Sequence, residues 1–356
     1  MSDLHIDGDR LVRRINDLAT IGPIEGGGSC RLALTDEDRD GRDLVVAWMT
    51  DLGLDISIDG IGNVVGVRPG RTDGSPIMTG SHIDTVRTGG RYDGNLGVLA
   101  GLEVIETLEQ HGITTEHPFA VAFFTDEEGA RFQPDMLGSL VYAGGMGLEE
   151  ALDVVGIDGA VLGEELDRIG YRGTSPCPGF APRAFVELHV EQGPVLEADG
   201  VTIGAVTGVQ GISWTELAIT GQSNHAGTTP MDLRHDPGYV AALIASYVRQ
   251  MAIRMGGRQV ATVGSLELHP NLVNVVAASA RLTVDLRNTD EALLGEAEAD
   301  LARFVAEAAA AEGVTVEERT LARFQPVAFD DRVVDTVAAV AAELGHSVKR
   351  LPSGAG

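Results

Sequence analysis

The chain has 356 residues, of which 44% are hydrophobic and only 4% aromatic, so it can bury a large core built mainly of Ala, Val, Leu and Ile. Its formal charge is −27, from 53 acidic and 26 basic residues, a field that repels nucleic acid and anionic lipid and argues against both as partners. No run approaches the roughly 20 apolar residues of a membrane span, the N-terminus has no apolar leader core, and Cys30 and Cys177 read as reduced thiols, so a soluble cytoplasmic protein is expected.

The chain opens on "MSDLHIDGDRLVRRINDLA", which reads as an amphipathic helix. "NVVGVRPG" and "PIMTGSHID" then read as strands that end in Gly or polar residues. "GNLGVLAGLEVIETLEQHG" reads as a helix, with apolar residues at three- and four-residue spacing and Gly112 as its C-terminal stop. "PFAVAFFTDEEG" is an apolar strand running straight into acids, and "RAFVELHVEQGP" a further strand with His189 and Glu191 near its end. This alternation predicts an α/β domain with a mostly parallel sheet, whose sites form at the carboxyl ends of the strands.

Near Thr207 the rhythm changes. "ISWTELAITGQ", "ATVGSLELH", "SARLTVDLRN" and "VTVEERTLA" read as strands, while "DPGYVAALIASYVRQMAIRMG" and "EALLGEAEADLARFVAEAAAAEG" read as helices. Their order is β-α-β-β-α-β, the ferredoxin-like pattern, over about 208–325. A last helix, "DDRVVDTVAAVAAELG", and the strand "SVKRLPSGAG" are expected to return to the first domain. The expected division is therefore 1–207 with 326–356 as one domain and 208–325 as an insertion.

Four places carry candidate chemistry. In "GSHIDTVRTGGRYDGNLG", His82, Asp84 and Asp93 flank a Gly-rich loop, which suits a divalent metal; Asp93 reads equally as a helix cap. In "FFTDEEGARF", three acids end an apolar strand, either solvated or dividing labour between ligation and proton transfer. His189 in "VELHVEQGP" is a satisfied core histidine or a ligand. His225, in the polar loop "GQSNHAGTTPMDLRHDP", suits a substrate contact better than a metal, because it belongs to the inserted domain.

Together with "NLVNVVAASARLTVDLRN" and "LPSGAG", these strings give the chain a resemblance to the dinuclear metal amidohydrolases of the aminoacylase/carboxypeptidase superfamily. More closely, "HVEQGPVLE" and "HAGTTPM" resemble its hydantoinase/carbamoylase amidase branch. The resemblance runs from about residue 25 to the end. Leu140 stands where relatives often carry arginine, and "NVVAASA" lacks an expected proline.

The resemblance implies a metallohydrolase domain with an inserted dimerisation and lid domain. It implies His82 and His189 on one metal, Asp93 bridging two, Glu128 on the second and Glu127 as general base. Asp84 would orient the His82 ring. Gln192 would contact the ureido group, and Asn274 and Arg287 the substrate carboxylate. His225 would stabilise the reacting carbonyl oxygen from the partner subunit of a homodimer. Oxygen and nitrogen ligands without thiolate suit zinc, manganese, cobalt or nickel. The implied substrates are ureido carboxylates: N-carbamoyl-L-amino acids, allantoate or N-carbamoyl-β-alanine. An aminoacylase or dipeptidase, or an inactive binding homologue, is the alternative.

The last string adds one expectation. In the family "SGAG" precedes a histidine that completes the second metal site, so a chain stopping at Gly356 is expected to be truncated and its second site incomplete.

Overall fold

The computed structural model describes residues 4–354; the expectation attached to Gly356 lies outside them. The chain divides after Val190 into two compact units.

The first unit begins with α1 (Gly8–Leu18) and α2 (Asp36–Asp51), capped by the side chains of Asp7 and Thr35. The strands β1 (Asp55–Ile58), β2 (Val64–Arg68) and β3 (Ile77–His82) follow, then α3 (Asn95–Gln110) and β4 (Phe119–Phe124). Three short helices, α4 (Leu137–Tyr142), α5 (Leu148–Leu152) and α6 (Leu162–Ile169), lead to β5 (Ala184–Val186).

The sheet order is β1-β2-β4-β3-β5. β3 runs parallel to β4 and to β5, whereas β1–β2 and β2–β4 are antiparallel. The α/β class holds, with a mixed sheet in place of a mostly parallel one. The reason is local: the link between β1 and β2 spans only residues 59–63, enough for a hairpin but too short for a parallel crossover. β3 and β4 are joined through α3, a crossover that makes parallel pairing possible. The core beneath is aliphatic, including Val64, Val98, Leu99, Leu102 and Phe123, all with no exposed surface.

β5 is shorter than the sequence suggests. Its pairing to β3 stops at Thr79–Val186. Beyond it Glu187 turns its carboxyl onto the Ser81 hydroxyl at 2.5 Å, which takes the place of a ladder.

The second unit contains α7 (Val195–Asp199), β6 (Ile203–Val209), β7 (Gly211–Thr220), β8 (Asn224–His225), α8 (Pro237–Met255) and β9 (Val260–His269). It continues with β10 (Val275–Val276), β11 (Ser279–Asn288), α9 (Glu291–Glu312), β12 (Thr315–Phe324), β13 (Val327–Ala328), α10 (Asp331–Glu343) and β14 (Val348–Ser353). Its antiparallel sheet has the order β12-β7-β11-β9, with α8 and α9 on one face, the expected ferredoxin-like arrangement. Alternation along β11 puts Ala280, Leu282, Val284 and Leu286 into the core with these helices. Asp236 and Asp290 cap the two helices. A second sheet of three strands has β6 between β13, antiparallel, and β14, parallel.

Candidate active site

Three parallel strands set out the first unit's polar cluster. β3 ends at His82, whose register partner is Phe124, the last residue of β4. The acids 126–128 therefore emerge beside His82. β5, on the other flank of β3, leads to His189.

The ligand atoms of His82, Asp93 and His189 all lie within 4.8 Å of one another. His189 Nε2 is 3.2 Å from Asp93 Oδ1, and His82 Nε2 is 3.9 Å from the same oxygen. Each ring is anchored through its other nitrogen. His82 Nδ1 lies 2.9 Å from the carbonyl of Asp84, and His189 Nδ1 2.8 Å from that of Val190. A carbonyl only accepts, so both Nδ1 atoms are assigned as donors and both Nε2 atoms face the cluster, where each offers a lone pair once its ring is neutral. Two imidazoles and a carboxylate held this way fit a divalent cation such as zinc.

Gly94 makes the cluster possible. Its φ is +63°, and a Cβ there would lie 2.4 Å from His82 Nε2. Only glycine lets the chain pass so close to the ring and turn into α3.

Glu127 Oε2 lies 3.3 Å from His82 Nε2. Burial, opposed by His82 and reinforced by the charges of Asp84 and Glu128, raises its pKa to about 7. Burial also raises Glu128, with Asp93 and Asp84 adding to the effect. Glu128 is outside the three-residue cluster. Contact with Asp93 outweighs burial at His189 and raises it to about 9. At His82, burial opposes the charged form, but Asp84, Glu127 and Glu128 outweigh it, and the pKa is raised.

Asp84 acts on the ring differently from expectation. Its carbonyl makes the 2.9 Å contact to His82 Nδ1, while its carboxylate is 3.8 Å away. That carboxylate instead accepts from the backbone N–H groups of Glu127 and Glu128, 3.3 Å each, and so fixes the two acids' loop.

Two residues here escape sequence reading. Arg31 is fully buried; it donates to the carbonyls of Leu18, Ile21 and Ile83 and to Asn95 Oδ1, bracing both segments that bear His82 and Asp93. Glu187 is raised by burial and bonded to Ser81; its charge also acts on His189. Arg31 binds mostly main-chain oxygens, which leave no mark in sequence; Glu187, two residues before His189, was the readable signal.

In the second unit β8 pairs with β10, setting His225 opposite Val275, and the Asn274 carbonyl accepts from Ala226 N at 2.9 Å. The exposed His225 and Asn274 are thus neighbours. His225 Nδ1 accepts from Gly227 N at 3.1 Å, which puts the proton on Nε2 and makes it a donor. Arg234, unread in the motif that contains it, holds this loop through the carbonyls of Ala226 and Thr229. Arg287 is engaged by Asp285, also unread, with Nη2–Oδ2 at 2.9 Å. Gln192 has φ +53°.

Residues 78–356 match peptidase family M20/M25/M40. The chain belongs to this family. It is 40% identical over 352 residues to the N-carbamoyl-L-amino-acid amidohydrolase of Rhizobium meliloti, covering 99% of this chain and 85% of that protein. It is 32% identical over 364 residues to the ureidoglycolate hydrolase of Arabidopsis thaliana, covering 99% and 76%. A crystal structure of a hydantoinase/carbamoylase family amidase from Burkholderia multivorans superposes with a TM-score of 0.94 at 45% identity, covering 100% of this chain and 87% of that one. The expected fold class and family both stand. Among the described residues no helix is long and apolar enough to cross a membrane.

Proposed function

We propose that this M20-family member is a metal-dependent amidohydrolase that cleaves the C–N bond of ureido carboxylates, with N-carbamoyl-L-amino acids as the leading substrate class. One observation carries the reading: a half-buried glutamate, Glu127, raised to about 7, stands 3.3 Å from a histidine of a His–Asp–His cation cluster. A hydrolase that activates water near neutral pH needs that pairing of base and cation site.

His82, Asp93 and His189 would hold one divalent ion, and Asp93 with Glu128 a second, drawn from zinc, manganese, cobalt or nickel. Such an ion supplies Lewis acidity and lowers the pKa of water to about 7. Glu127 takes the proton of the attacking water and hands it to the leaving nitrogen. His225 offers Nε2–H to the carbonyl oxygen as charge develops there. Asn274 and Arg287 hold the carboxylate, and Gln192 the ureido group.

A homodimer supplies His225 in this reading. Support comes from β9, a sheet edge with Val260 and Leu266 about half exposed, beside exposed Tyr239 and Ile253 of α8. The limits 1–207 with 326–356 and 208–325 remain our domain proposal, supported by β13 and β14 both pairing with β6. Free Cys30 and Cys177 support a cytoplasmic location.

Identity to the Arabidopsis enzyme favours ureidoglycolate as a second substrate to test. The experiment is ammonia release from N-carbamoyl-L-amino acids, ureidoglycolate and allantoate, alongside free amino acid release from N-acetyl amino acids, whose hydrolysis gives acetate and no ammonia. Turnover of the N-acetyl compounds alone would replace this reading with an aminoacylase. Glu127→Gln should keep its metal and lose about 10²–10⁴-fold in turnover; unchanged turnover would remove Glu127 as the base.

A further inference from the structure

We infer that Asp285 is a positioning residue that presents the Arg287 guanidinium to substrate and gives the site its preference for a planar carboxylate. The inference rests on the reading of Arg287 as the carboxylate contact.

Asp285 and Arg287 are two residues apart on β11, so both stand on the sheet face opposite Val284 and Leu286, which enter the helical core. Trp214 of β7 is the direct register partner of Asp285. Three contacts fix the guanidinium. Arg287 Nε lies 3.1 and 3.0 Å from the two Asp285 oxygens, and Nη2 lies 2.9 Å from Oδ2. Nη1 donates to the Gly354 carbonyl at 2.6 Å. The Trp214 ring lies under the group, 5.7 Å from centroid to Cζ.

A guanidinium carries five N–H donors in a rigid fork. Asp285 takes the Nε–Nη2 side and Gly354 one donor of Nη1. Among the described residues these contacts leave one N–H on each terminal nitrogen, the pair that a second planar acceptor requires. Two effects of Asp285 oppose each other. Its charge offsets that of Arg287 and weakens attraction at a distance. Its hydrogen bonds and the Trp214 plate hold the fork in one plane. The side chains are 23% and 30% exposed, so solvent screens the first effect. The second acts at contact, where two-point recognition depends on alignment, and it dominates.

The test is steady-state kinetics of the full-length, metal-loaded protein on N-carbamoyl-L-alanine and its carboxamide. Asp285→Asn should raise KM for the carboxylate about tenfold, leave kcat within about twofold and shrink the carboxylate-over-carboxamide preference by a similar factor. Asp285→Ser serves if the asparagine variant does not fold. A purely structural role would lower yield or melting temperature without touching that preference. If Arg287→Gln raises KM but the Asp285 variants leave KM and preference unchanged, the inference falls alone. If Arg287→Gln also changes nothing, the reading of Arg287 falls with it.

Discussion

Replacing Gly94 by alanine tests how closely the cation cluster depends on one missing side chain. Two costs add. The backbone at Gly94 has φ +63° and ψ −50°, a combination an L-residue avoids at about 1–2 kcal/mol. The new Cβ would also sit 2.4–2.5 Å from three atoms of the His82 ring, which is itself only 1% exposed and has nowhere to retreat. Overpacking of that kind costs about 1–3 kcal/mol. A total of about 3 kcal/mol corresponds to a fall of roughly 6–12 °C in melting temperature for a unit of this size. Gly112→Ala is the control. It has nearly the same φ, +61°, at the end of α3, with no atom within 4 Å of the added carbon, so it should lose only about 1 kcal/mol. Calorimetric melting of both metal-free variants separates strain from collision, and cobalt titration reads the site. Gly94→Ala should weaken cobalt binding at least about tenfold, because His82 must move, and Gly112→Ala should leave it unchanged. Equal melting temperatures for the two variants, together with wild-type cobalt affinity in Gly94→Ala, would refute the reasoning.

Metal uptake should be linked to proton release. His189 is raised to about 9, so at pH 7 it is protonated in the metal-free protein and must lose its proton to bind a cation; calorimetry in buffers of different ionisation enthalpy should find about one proton released from it, and none would count against the cluster. The same groups set the pH dependence of metal-free stability. The histidine contribution is complete below its unfolded value of 6.5 and is lost as pH rises through about 9, while Glu127, raised from 4.5 to about 7, favours the folded state at low pH and loses that advantage as pH rises through 7. Metal-free melting temperature should therefore carry a falling contribution between about pH 4.5 and 9 that Glu127→Gln and His189→Gln reduce. Asp84→Asn leaves one of the two N–H groups of Glu127 and Glu128 facing an amide donor; a loss of about 1–3 kcal/mol in stability, with lower kcat/KM, is expected, and wild-type melting would contradict it.

Much of the fold was readable because hydrophobic spacing and caps report local structure. The ferredoxin-like order of the second unit followed from runs long enough to show their period, such as 279–288 and 291–312. The mixed sheet of the first unit was less readable, because strand direction is decided by connection length and not by side chains. β5 was read too long for a related reason. "AFVELHV" alternates like a strand, yet the ladder ends where Glu187 finds Ser81, a partner 106 residues away.

The candidate site divides along the same line. His82, Asp93, Glu127 and His189 were legible because histidines and acids near strand ends are the side chains that a metal or proton-transfer site would need, and the structure brings them together. The residues that hold them were not, because their partners are mostly main-chain oxygens, which every residue possesses. Arg31 reaches three carbonyls, each imidazole anchors on one, and Arg234 holds the His225 loop by two more. Asp84 marks the boundary most clearly. Its side chain was singled out for an orienting task, yet its carbonyl makes the contact to the ring, while the carboxylate organises the loop bearing Glu127 and Glu128. An acid two residues after a candidate ligand therefore identifies a shell around the site, but not which of its oxygens faces the ring. That choice is made by backbone direction at the strand end, so substitutions at 84 should disturb Glu127 and Glu128 before they disturb His82.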